Sequence, residues 1–305
     1  MLNIEKCWYH ENRLFASWDK QSRAVLQHTK ASLHRELAQS LRRCCTHVKG
    51  HGGVKGNLRL LTRCCEDYHF VARFDVARYY ESMQHEALLD TLQQMGASTQ
   101  SHAVVEAYLQ KPDVHGTGVG MTAGGCLSPL LGAVMLTPLD DAMTELMRKE
   151  GIVYIRFMDD FIILAKTRHP FRRAIKRVHE VMRDLQLQLH EKKRFIGKVS
   201  DGFDFLGYTV KPGRRLRPSA ESIRRLSTKF RRLYERGASP KRLWRYVVRW
   251  CGWLWGGLDG LVSRKGGTRR VFVRLLRLLD IAGFPLPDMR IHASVNEKEL
   301  LSSSG

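Results

Sequence analysis

Two adjacent aspartates, Asp159 and Asp160, interrupt an apolar run that extends over residues 152–165. Ionised carboxylates rarely occupy such surroundings without a compensating partner. The flanking segments 153–155 and 161–164 consist mainly of β-branched and aromatic residues, so both predict strands. The pair then falls at the turn of a β-hairpin, where both side chains can reach a bound cation. Magnesium together with a phosphate substrate suits such a site best.

A third carboxylate, Asp75, lies within another strand-like apolar run, residues 70–80. Asp75, Asp159 and Asp160 together could hold two divalent ions about 3.5–4 Å apart. In an in-line phosphoryl transfer, one ion activates the attacking oxygen and the other stabilises the leaving oxygen. The sequence therefore indicates two-metal phosphoryl chemistry.

A second pair of adjacent aspartates, Asp140 and Asp141, can be compared with Asp159 and Asp160. This pair follows Pro138 and precedes a segment with helical periodicity, which predicts the first turn of a helix. Carboxylates are favoured there by the helix dipole. We therefore interpret Asp140 and Asp141 as structural.

The chain of 305 residues carries a formal net charge of +21 and has a pI near 10.0. Fold stability does not call for such self-repulsion, so the excess indicates a polyanionic partner, foremost nucleic acid. A membrane surface is the alternative, but the basic residues are spread over several segments. Residues 205–280 hold 20 Lys and Arg against 4 Asp and Glu, a local charge of +16. Within them Arg242, Arg245 and Arg249 are predicted to share one helix face that follows a nucleic-acid backbone.

The seven cysteines show neither an even count nor a Cys-x-x-Cys spacing. A disulfide framework and a standard zinc site are therefore disfavoured, although a zinc site built from the pairs at 44–45 and 64–65 stays an alternative. The first residues do not form a signal peptide, and no apolar run is long enough to span a bilayer. We expect a cytoplasmic protein.

The remaining pattern predicts helices, short strands and two glycine-rich loops. We predict helices over residues 13–48, 84–95 and 170–187, a strand over 187–190, and a hairpin over 203–210 with its bend at Gly207. A glycine-rich stretch, residues 49–59, predicts a mobile loop whose backbone can approach a ligand closely. A second one, 111–125, leads to a helix that begins near Pro129 and is predicted to be capped by Ser128.

Five segments occur in an order that resembles the bacterial reverse transcriptases of the group II intron and retroelement type. They are Phe74–Tyr80, Gly124–Leu131, Phe157–Asp160, Leu189–Lys193 and Phe205–Tyr208. The resemblance implies an α+β fold, a right-hand polymerase with fingers, a palm of antiparallel sheet plus helices, and a helical thumb. It places the N-terminal helices and fingers at residues 1–68, the palm at 69–212 with further fingers elements near 84–118, the basic thumb at 213–290 and a C-terminal tail at 291–305.

The resemblance also implies catalytic roles. Asp75 and Asp159 would ligate both metal ions directly, and Asp160 would support the site. Tyr80 would be an aromatic steric gate that excludes a 2′-hydroxyl and so selects dNTPs. Lys193 would protonate the leaving pyrophosphate.

Further implied contacts surround these residues. They are Val76 at the metal ions; Lys49, Lys55, Arg59, Arg78, Tyr79, Tyr80, Ala123 and Gly124 at the nucleotide; and Ser128, Pro129, Phe157, Met158, Phe205, Leu206, Gly207, Arg242, Arg245 and Arg249 at primer and template.

Three departures from the family pattern are visible, and one of them is Phe157, where the family usually has tyrosine. Residues 122–125 are Thr-Ala-Gly-Gly where the family usually has Pro-Gln-Gly-Gly, so a glutamine amide is lost at Ala123. Arg78 replaces a common glycine. No ribonuclease H, integrase, zinc-finger endonuclease or extended maturase region is recognisable, so we expect a stand-alone polymerase of the kind that also serves anti-phage defence.

The expected activity is RNA-directed DNA synthesis with two Mg²⁺ ions, or Mn²⁺ in their place. The expected partners are dNTPs, an RNA template and a DNA or RNA primer, with a dedicated noncoding RNA, a partner protein or a second copy of the chain as further candidates. Two alternatives stay open: a template-independent or protein-primed nucleotidyl transferase on the same palm, and a non-catalytic, maturase-like RNA-binding protein. The presence of all three aspartates argues against the second.

Overall fold

The computed structural model describes residues 2–10, 13–111, 117–122 and 124–263. Ala123, the last part of the predicted thumb and the predicted tail at 291–305 lie outside these residues. The chain divides into two compact units, one formed by residues 1–57 and 67–199 and the other by residues 58–66 and those from 200 onward. The predicted boundaries of fingers, palm and thumb stay predictions.

A four-stranded antiparallel sheet forms the centre of the first unit. Its spatial order is β4 (Val153–Phe157), β5 (Asp160–Ala165), β3 (Phe70–Asp75) and β6 (Phe195–Lys198). All of β5 after Asp160 is buried, which explains its continuous apolar sequence.

Helices surround this sheet in the first unit. They are α1 (Lys20–Glu36), α2 (Gly53–Cys64, which continues into the second unit), α3 (His85–Gln94), α4 (Thr99–Leu109), α5 (Ser128–Met135), α6 (Thr137–Glu150) and α7 (Arg168–Asp184). Two 3₁₀ turns of this unit occupy Tyr80–Ser82 and Glu191–Lys193, and a third, Cys65–Asp67, lies where the chain passes from the second unit back to the first. Helix α7 packs on β5 and β3, and α6 packs on β4 and α7. The predicted helices at 84–95 and 170–187 are thereby confirmed as α3 and α7.

The predicted helix over residues 13–48 is wrong at both ends. Strands β1 (Ile4–His10) and β2 (Arg13–Trp18) form an antiparallel hairpin, and α1 begins only after Asp19, whose carboxylate accepts a hydrogen bond from the backbone N–H of Ser22. The pairing with β1 holds residues 13–18 extended, and a local helical periodicity cannot reveal such a partner. Residues 37–48 form turns around a single bridge that Cys45 makes with Arg156.

Two further local predictions need correction. The glycine-rich stretch 49–59 is not one loop, because α2 begins at Gly53. The predicted strand at 187–190 is reduced to a single bridge between Leu189 and Val76.

The second unit contains a small sheet and two helices. Its three strands pair in the order β7 (Phe203–Phe205), β8 (Tyr208–Val210) and β9 (Arg217–Pro218). A 3₁₀ turn, Val199–Asp201, precedes β7. The two helices, α8 (Ala220–Glu235) and α9 (Pro240–Trp255), pack on each other. The predicted hairpin at 203–210 and the predicted helix around residues 241–250 are confirmed.

Candidate active site

The β4–β5 hairpin brings the carboxylates together. Met158 and Asp159 form its turn, and Met158 adopts a φ of 60°. The backbone N–H of Val76 donates to the Asp159 carbonyl at 3.1 Å. Across β3 and β5, Asp75 lies directly opposite Asp160. Because side chains at opposite positions of paired strands share one face, this register gathers the three predicted carboxylates at one end of the sheet.

Asp160 is held by a residue that the sequence analysis did not single out. Arg73, two residues before Asp75 on β3, donates from Nε and Nη2 to the two carboxylate oxygens of Asp160, at 2.8 and 2.7 Å. Burial raises the pKa of Asp160 even though Arg73 acts to lower it. Since both oxygens already accept this fork, Asp160 suits the supporting role expected of it better than direct ligation.

Asp75 and Asp159 lie in a different electrostatic environment. The Lys193 ammonium lies 2.8 Å from Oδ1 of Asp75 and is half exposed. Burial, followed by the negative charge of Asp75, raises the pKa of the Asp159 carboxyl. A carboxylate whose ionised form is disfavoured by a neighbouring negative charge lies where a cation would be stabilised.

No group of three or more His, Cys, Asp and Glu side chains among the described residues is arranged to enclose a metal ion. The donor set nevertheless fits Mg²⁺, because two carboxylates supply hard oxygen ligands. Magnesium is usually held by one or two carboxylates together with substrate phosphates and water rather than by an all-protein cage. Asp75 and Asp159 are therefore the residues that would hold the ion.

The two neighbouring tyrosines have different surroundings. Tyr79 is buried, and its hydroxyl donates to the Gly132 carbonyl at 2.6 Å, so its expected contact with a nucleotide is not supported. Tyr80 begins a 3₁₀ turn, is half-buried, and lies beside the same helix α5. A Cβ at Gly132 would come within 3.2 Å of the Tyr79 ring and 3.6 Å of the Tyr80 ring. Glycine at position 132 therefore favours the close approach of the Tyr79 ring, whereas the distance to the Tyr80 ring is an ordinary van der Waals contact.

Arg78 shows why the family prefers glycine at its position. Its backbone has a φ of 44°, in the left-handed region that favours glycine. The arginine side chain is exposed and so remains accessible to a nucleotide.

The loop before α5 is fixed by a tyrosine that sequence reasoning missed. Ser128 is the first residue of α5 rather than its cap, and it is buried, so a direct contact of its side chain with template is not supported. Its hydroxyl donates to the Thr122 carbonyl at 2.9 Å and lies 3.0 Å from the hydroxyl of Tyr108. A Cβ at Gly125 would lie 2.2 Å from that hydroxyl, so the close approach of Tyr108 requires glycine there. By contrast, Pro129 is exposed.

Three other predicted nucleotide contacts are spread along the start of α2. Lys49 is exposed in the preceding turns, whereas Lys55 and Arg59 lie on the helix itself. Arg59 belongs to the second unit, where its guanidinium donates to the Gly257 carbonyl. Gly124, which is exposed and has a φ of 76°, follows Ala123, which lies outside the described residues.

The predicted primer contacts in the second unit are partly accessible. Phe205 is completely buried, so a direct contact with primer is not supported. Leu206 and Gly207, with φ values of 49° and 85°, form the two-residue turn between β7 and β8 and are half-buried.

The predicted basic face of α9 is present. The three arginines on it are exposed, whereas Leu243 and Val247 are buried on the opposite side. They are Arg242, Arg245 and Arg249.

A buried arginine also supports the hairpin turn. Arg156, on β4, is completely buried and forms an ion pair with Asp140 of α6. Burial acts to lower the pKa of Arg156, but Asp140 keeps it well above its usual value. Arg156 also donates from Nη1 to the Met158 carbonyl at 3.0 Å. The predicted structural role of Asp140 thus rests on this ion pair in addition to its place in the first turn of α6.

Residues 26–210, more than half of the chain, match the family of reverse transcriptases, which are RNA-dependent DNA polymerases. The chain belongs to this family. The predicted fold class, an α+β right-hand polymerase, is confirmed. No curated protein matches the chain.

Solved telomerase structures share the fold at low sequence identity. The telomerase of Candida albicans, in complex with a fragment of telomeric RNA, matches with a TM-score of 0.54 and 12% identity over 90% of this chain and 57% of its own. The apo telomerase of Candida tropicalis lacking its C-terminal domain matches with a TM-score of 0.54 and 11% identity over 72% of this chain and 55% of its own. The chain thus spans little more than half the length of these telomerases.

Within the described residues, no helix combines the length and the apolar character needed to cross a membrane. All seven cysteines lie within the described residues, and none of them forms a disulfide. The alternative of a zinc site at the two cysteine pairs gains no support from the described residues, since no metal-binding group is found among them.

Proposed function

We propose that this protein synthesises DNA on an RNA template, by attack of a primer 3′-hydroxyl on the α-phosphate of a dNTP with release of pyrophosphate. The observation that carries the proposal is the juxtaposition of Asp75 and Asp159. Asp75 ends β3 opposite Asp160, and the Val76 N–H donates to the Asp159 carbonyl, so both residues lie at one end of the sheet in a chain of the reverse transcriptase family. Burial, followed by the negative charge of Asp75, raises the pKa of the Asp159 carboxyl. Such a pair is the feature expected of a site that receives divalent cations with its substrate.

Bound divalent ions would activate the attacking hydroxyl and stabilise the leaving oxygen. The chain's own residues have separate tasks in this proposal. Asp75 and Asp159 hold the ions, the Val76 backbone lies next to them, and Arg73 fixes Asp160 beside them through its fork. Before substrate arrives, Lys193 pairs with Asp75 at 2.8 Å. Its half-exposed ammonium is then positioned to give a proton to the pyrophosphate.

Tyr80 is proposed as the sugar selector. Its ring is half-buried against α5, next to Tyr79, whose hydroxyl is anchored on the Gly132 carbonyl. A ring supported in this way has little freedom to move away from a 2′-hydroxyl. We therefore expect dNTPs to be preferred over rNTPs.

Nucleic acid is the proposed partner of the basic surfaces. Helix α9 presents three exposed arginines, and the chain as a whole carries a net charge of +21. Each arginine that neutralises a phosphate should release counterions and so steepen the salt dependence of binding. The proposed ligands are an RNA template and a DNA or RNA primer; a dedicated noncoding RNA, a partner protein, a cytoplasmic location and a role in defence stay predictions.

The test is primer extension on a defined RNA template with dNTPs, in Mg²⁺ and separately in Mn²⁺, with every product sequenced. Wild type is compared with Asp159→Ala and with the matched control Asp141→Ala, whose exposed carboxylate contacts only Arg42 among the described ion pairs. We expect templated DNA from wild type and the control, and none from Asp159→Ala.

Other outcomes would change the proposal. A homopolymer or simple repeat from wild type would favour the non-templated transferase. No product from any variant, with tight RNA binding retained, would favour a non-catalytic RNA-binding protein. Product from Asp159→Ala at the wild-type rate would remove Asp159 from the active site.

A further inference from the structure

In the turn that carries Asp159, both backbone polar groups of Met158 form hydrogen bonds with side chains. The backbone N–H of Met158 donates to Nδ1 of His47 at 3.0 Å, and its carbonyl accepts from Nη1 of Arg156 at 3.0 Å. Met158 has a φ of 60°, a conformation that non-glycine residues rarely adopt without support. The two side chains together therefore fix an uncommon backbone conformation next to a proposed metal ligand.

His47 reaches the turn because its segment runs beside β4. Cys45 forms a parallel bridge with Arg156. The backbone of Thr46 donates to the Arg156 carbonyl at 2.8 Å, and the Arg156 N–H donates to the Cys44 carbonyl at 2.9 Å. The ring of His47 then packs edge-on against Phe157, with centroids 5.9 Å apart.

The hydrogen-bond pattern assigns a single tautomer to His47. Because Nδ1 accepts from the Met158 N–H, the ring proton is on Nε2, which donates to the Pro129 carbonyl at 2.9 Å. Burial, followed by the charge of Arg156, lowers the pKa of His47 to about 4, so the ring is neutral at ordinary pH. The Cys45 thiol lies 3.6 Å from the same Nδ1, and burial raises the pKa of that thiol to about 12, so it is also neutral.

We infer that His47 is a positioning residue for the polymerase reaction, which couples the first turn of α5 to the turn that carries Asp159. One ring nitrogen fixes the Met158 peptide, and the other fixes the exposed Pro129 end of α5, where template or nucleotide is expected. The inference rests on the proposed function. It assigns a task to a side chain that belongs to none of the five family-like segments.

Three substitutions at His47 distinguish the roles of its two ring nitrogens. In His47→Asn, the amide oxygen can take the place of Nδ1 and accept from Met158, whereas His47→Gln can keep only a donor toward Pro129. His47→Ala removes both. A misplaced reacting group can lower the rate by about 100-fold, so we expect kcat to fall about 10- to 100-fold in the Ala and Gln variants. The Asn variant should stay within about threefold of wild-type kcat, and KM for dNTP should change less than about threefold in all variants.

His69→Ala is the matched control. The His69 ring also makes a hydrogen bond to a carbonyl, that of Lys166 at 2.9 Å. However, His69 directly precedes β3, at the end opposite Asp75. Thermal unfolding of every variant accompanies the kinetics. If His47→Ala keeps wild-type kcat, or if Asn and Gln lose activity equally and in proportion to their melting temperatures, the inference is overturned.

Amide hydrogen exchange at Met158 tests the inference without relying on catalysis. We expect strong protection in wild type and His47→Asn, and rapid exchange in His47→Ala and His47→Gln. An inactive wild type with this exchange pattern would refute the proposed function but not the role of His47 in fixing the Met158 peptide. Equal protection in all four proteins would refute that role of His47 even if the polymerase activity is established.

Discussion

The chain contains two Asp-Asp pairs, and they differ in the charge that they meet. Asp140 is 1% exposed and forms an ion pair with Arg156, which is completely buried. Its neighbour Asp141 is exposed and forms an ion pair with Arg42. Asp160 is likewise held by Arg73, but Asp159 has another carboxylate, that of Asp75, as its main charged neighbour.

This difference separates structural carboxylates from candidate catalytic ones. A buried carboxylate that the fold itself neutralises contributes to stability only while its partner is present. A buried carboxylate beside a like charge raises the free energy of the fold until a cation arrives from outside. The same dipeptide therefore serves two purposes, and the partner rather than the sequence motif decides which.

The largest expected effect comes from Asp159→Asn. The substitution keeps the shape of the side chain but removes a charge that the proposed metal ions require. We expect primer extension to fall at least about 1,000-fold, which corresponds to about 4 kcal/mol of transition-state stabilisation. The measurement is single-turnover extension at saturating dNTP, with circular dichroism to verify the fold. Substantial residual activity would show that Asp159 is no more catalytic than Asp140.

Asp140→Asn should act on stability instead. Removing this carboxylate charge leaves Arg156 buried and unpaired, and breaking a buried ion pair in this way costs about 3–5 kcal/mol. Urea denaturation measures the loss in the free energy of unfolding. The control Asp141→Ala disrupts an exposed pair and should cost less than about 1 kcal/mol. Equal losses in the two variants would contradict the distinction between the buried and exposed members of the pair.

The sequence indicated the carboxylates that the fold brings to one end of the sheet, but it did not indicate the residues that hold them. Asp159 and Asp160 were recognisable because charges are rare within apolar strands. Arg73 is likewise a charged residue within an apolar strand. Only the register of β3 against β5, however, reveals that its side chain can reach Asp160. His47 gives no local signal at all, since its function depends on a bridge between residues 45 and 156.

The same limit explains which fold predictions were wrong. Helices α3 and α7 follow from periodicity within one segment, whereas β2 depends on pairing with β1. Tyr79 and Ser128 belong to family-like segments, but their burial follows from packing against α5 and Tyr108. A motif therefore locates a site more reliably than it identifies which of its side chains meet the substrate.

Tyr79 and Tyr80 are a second pair of adjacent, identical residues, of which one is structural and the other is proposed to meet the substrate. Tyr80→Ala should lower the preference for dNTP over rNTP by about 10- to 100-fold, equivalent to about 1.4–2.7 kcal/mol. Tyr79→Phe loses only the hydrogen bond to Gly132, so it should reduce the free energy of unfolding by about 1 kcal/mol and leave sugar discrimination nearly unchanged. Competition between dNTP and rNTP in single-nucleotide extension measures the ratio. Unchanged discrimination in Tyr80→Ala would remove its role as sugar selector.

The smallest expected effect is a pH dependence that distinguishes Asp159 from a neutralised carboxylate. Burial and Asp75 raise its pKa above the usual 3.8 in the folded state. Between 3.8 and the raised pKa the folded protein binds more protons than the unfolded chain, so the contribution of Asp159 to stability decreases as pH rises through this window.

Asp159→Asn lacks this group, and without divalent ions it should therefore become progressively more stable than wild type as pH is raised from about 3 to about 7. Urea denaturation across this range, in chelator and then in Mg²⁺, gives the difference in the free energy of unfolding. Added Mg²⁺ should reduce the difference, because a cation bound by Asp75 and Asp159 stabilises only the wild type. A difference that is independent of both pH and Mg²⁺ would mean that Asp159 is as well compensated within the fold as Asp140.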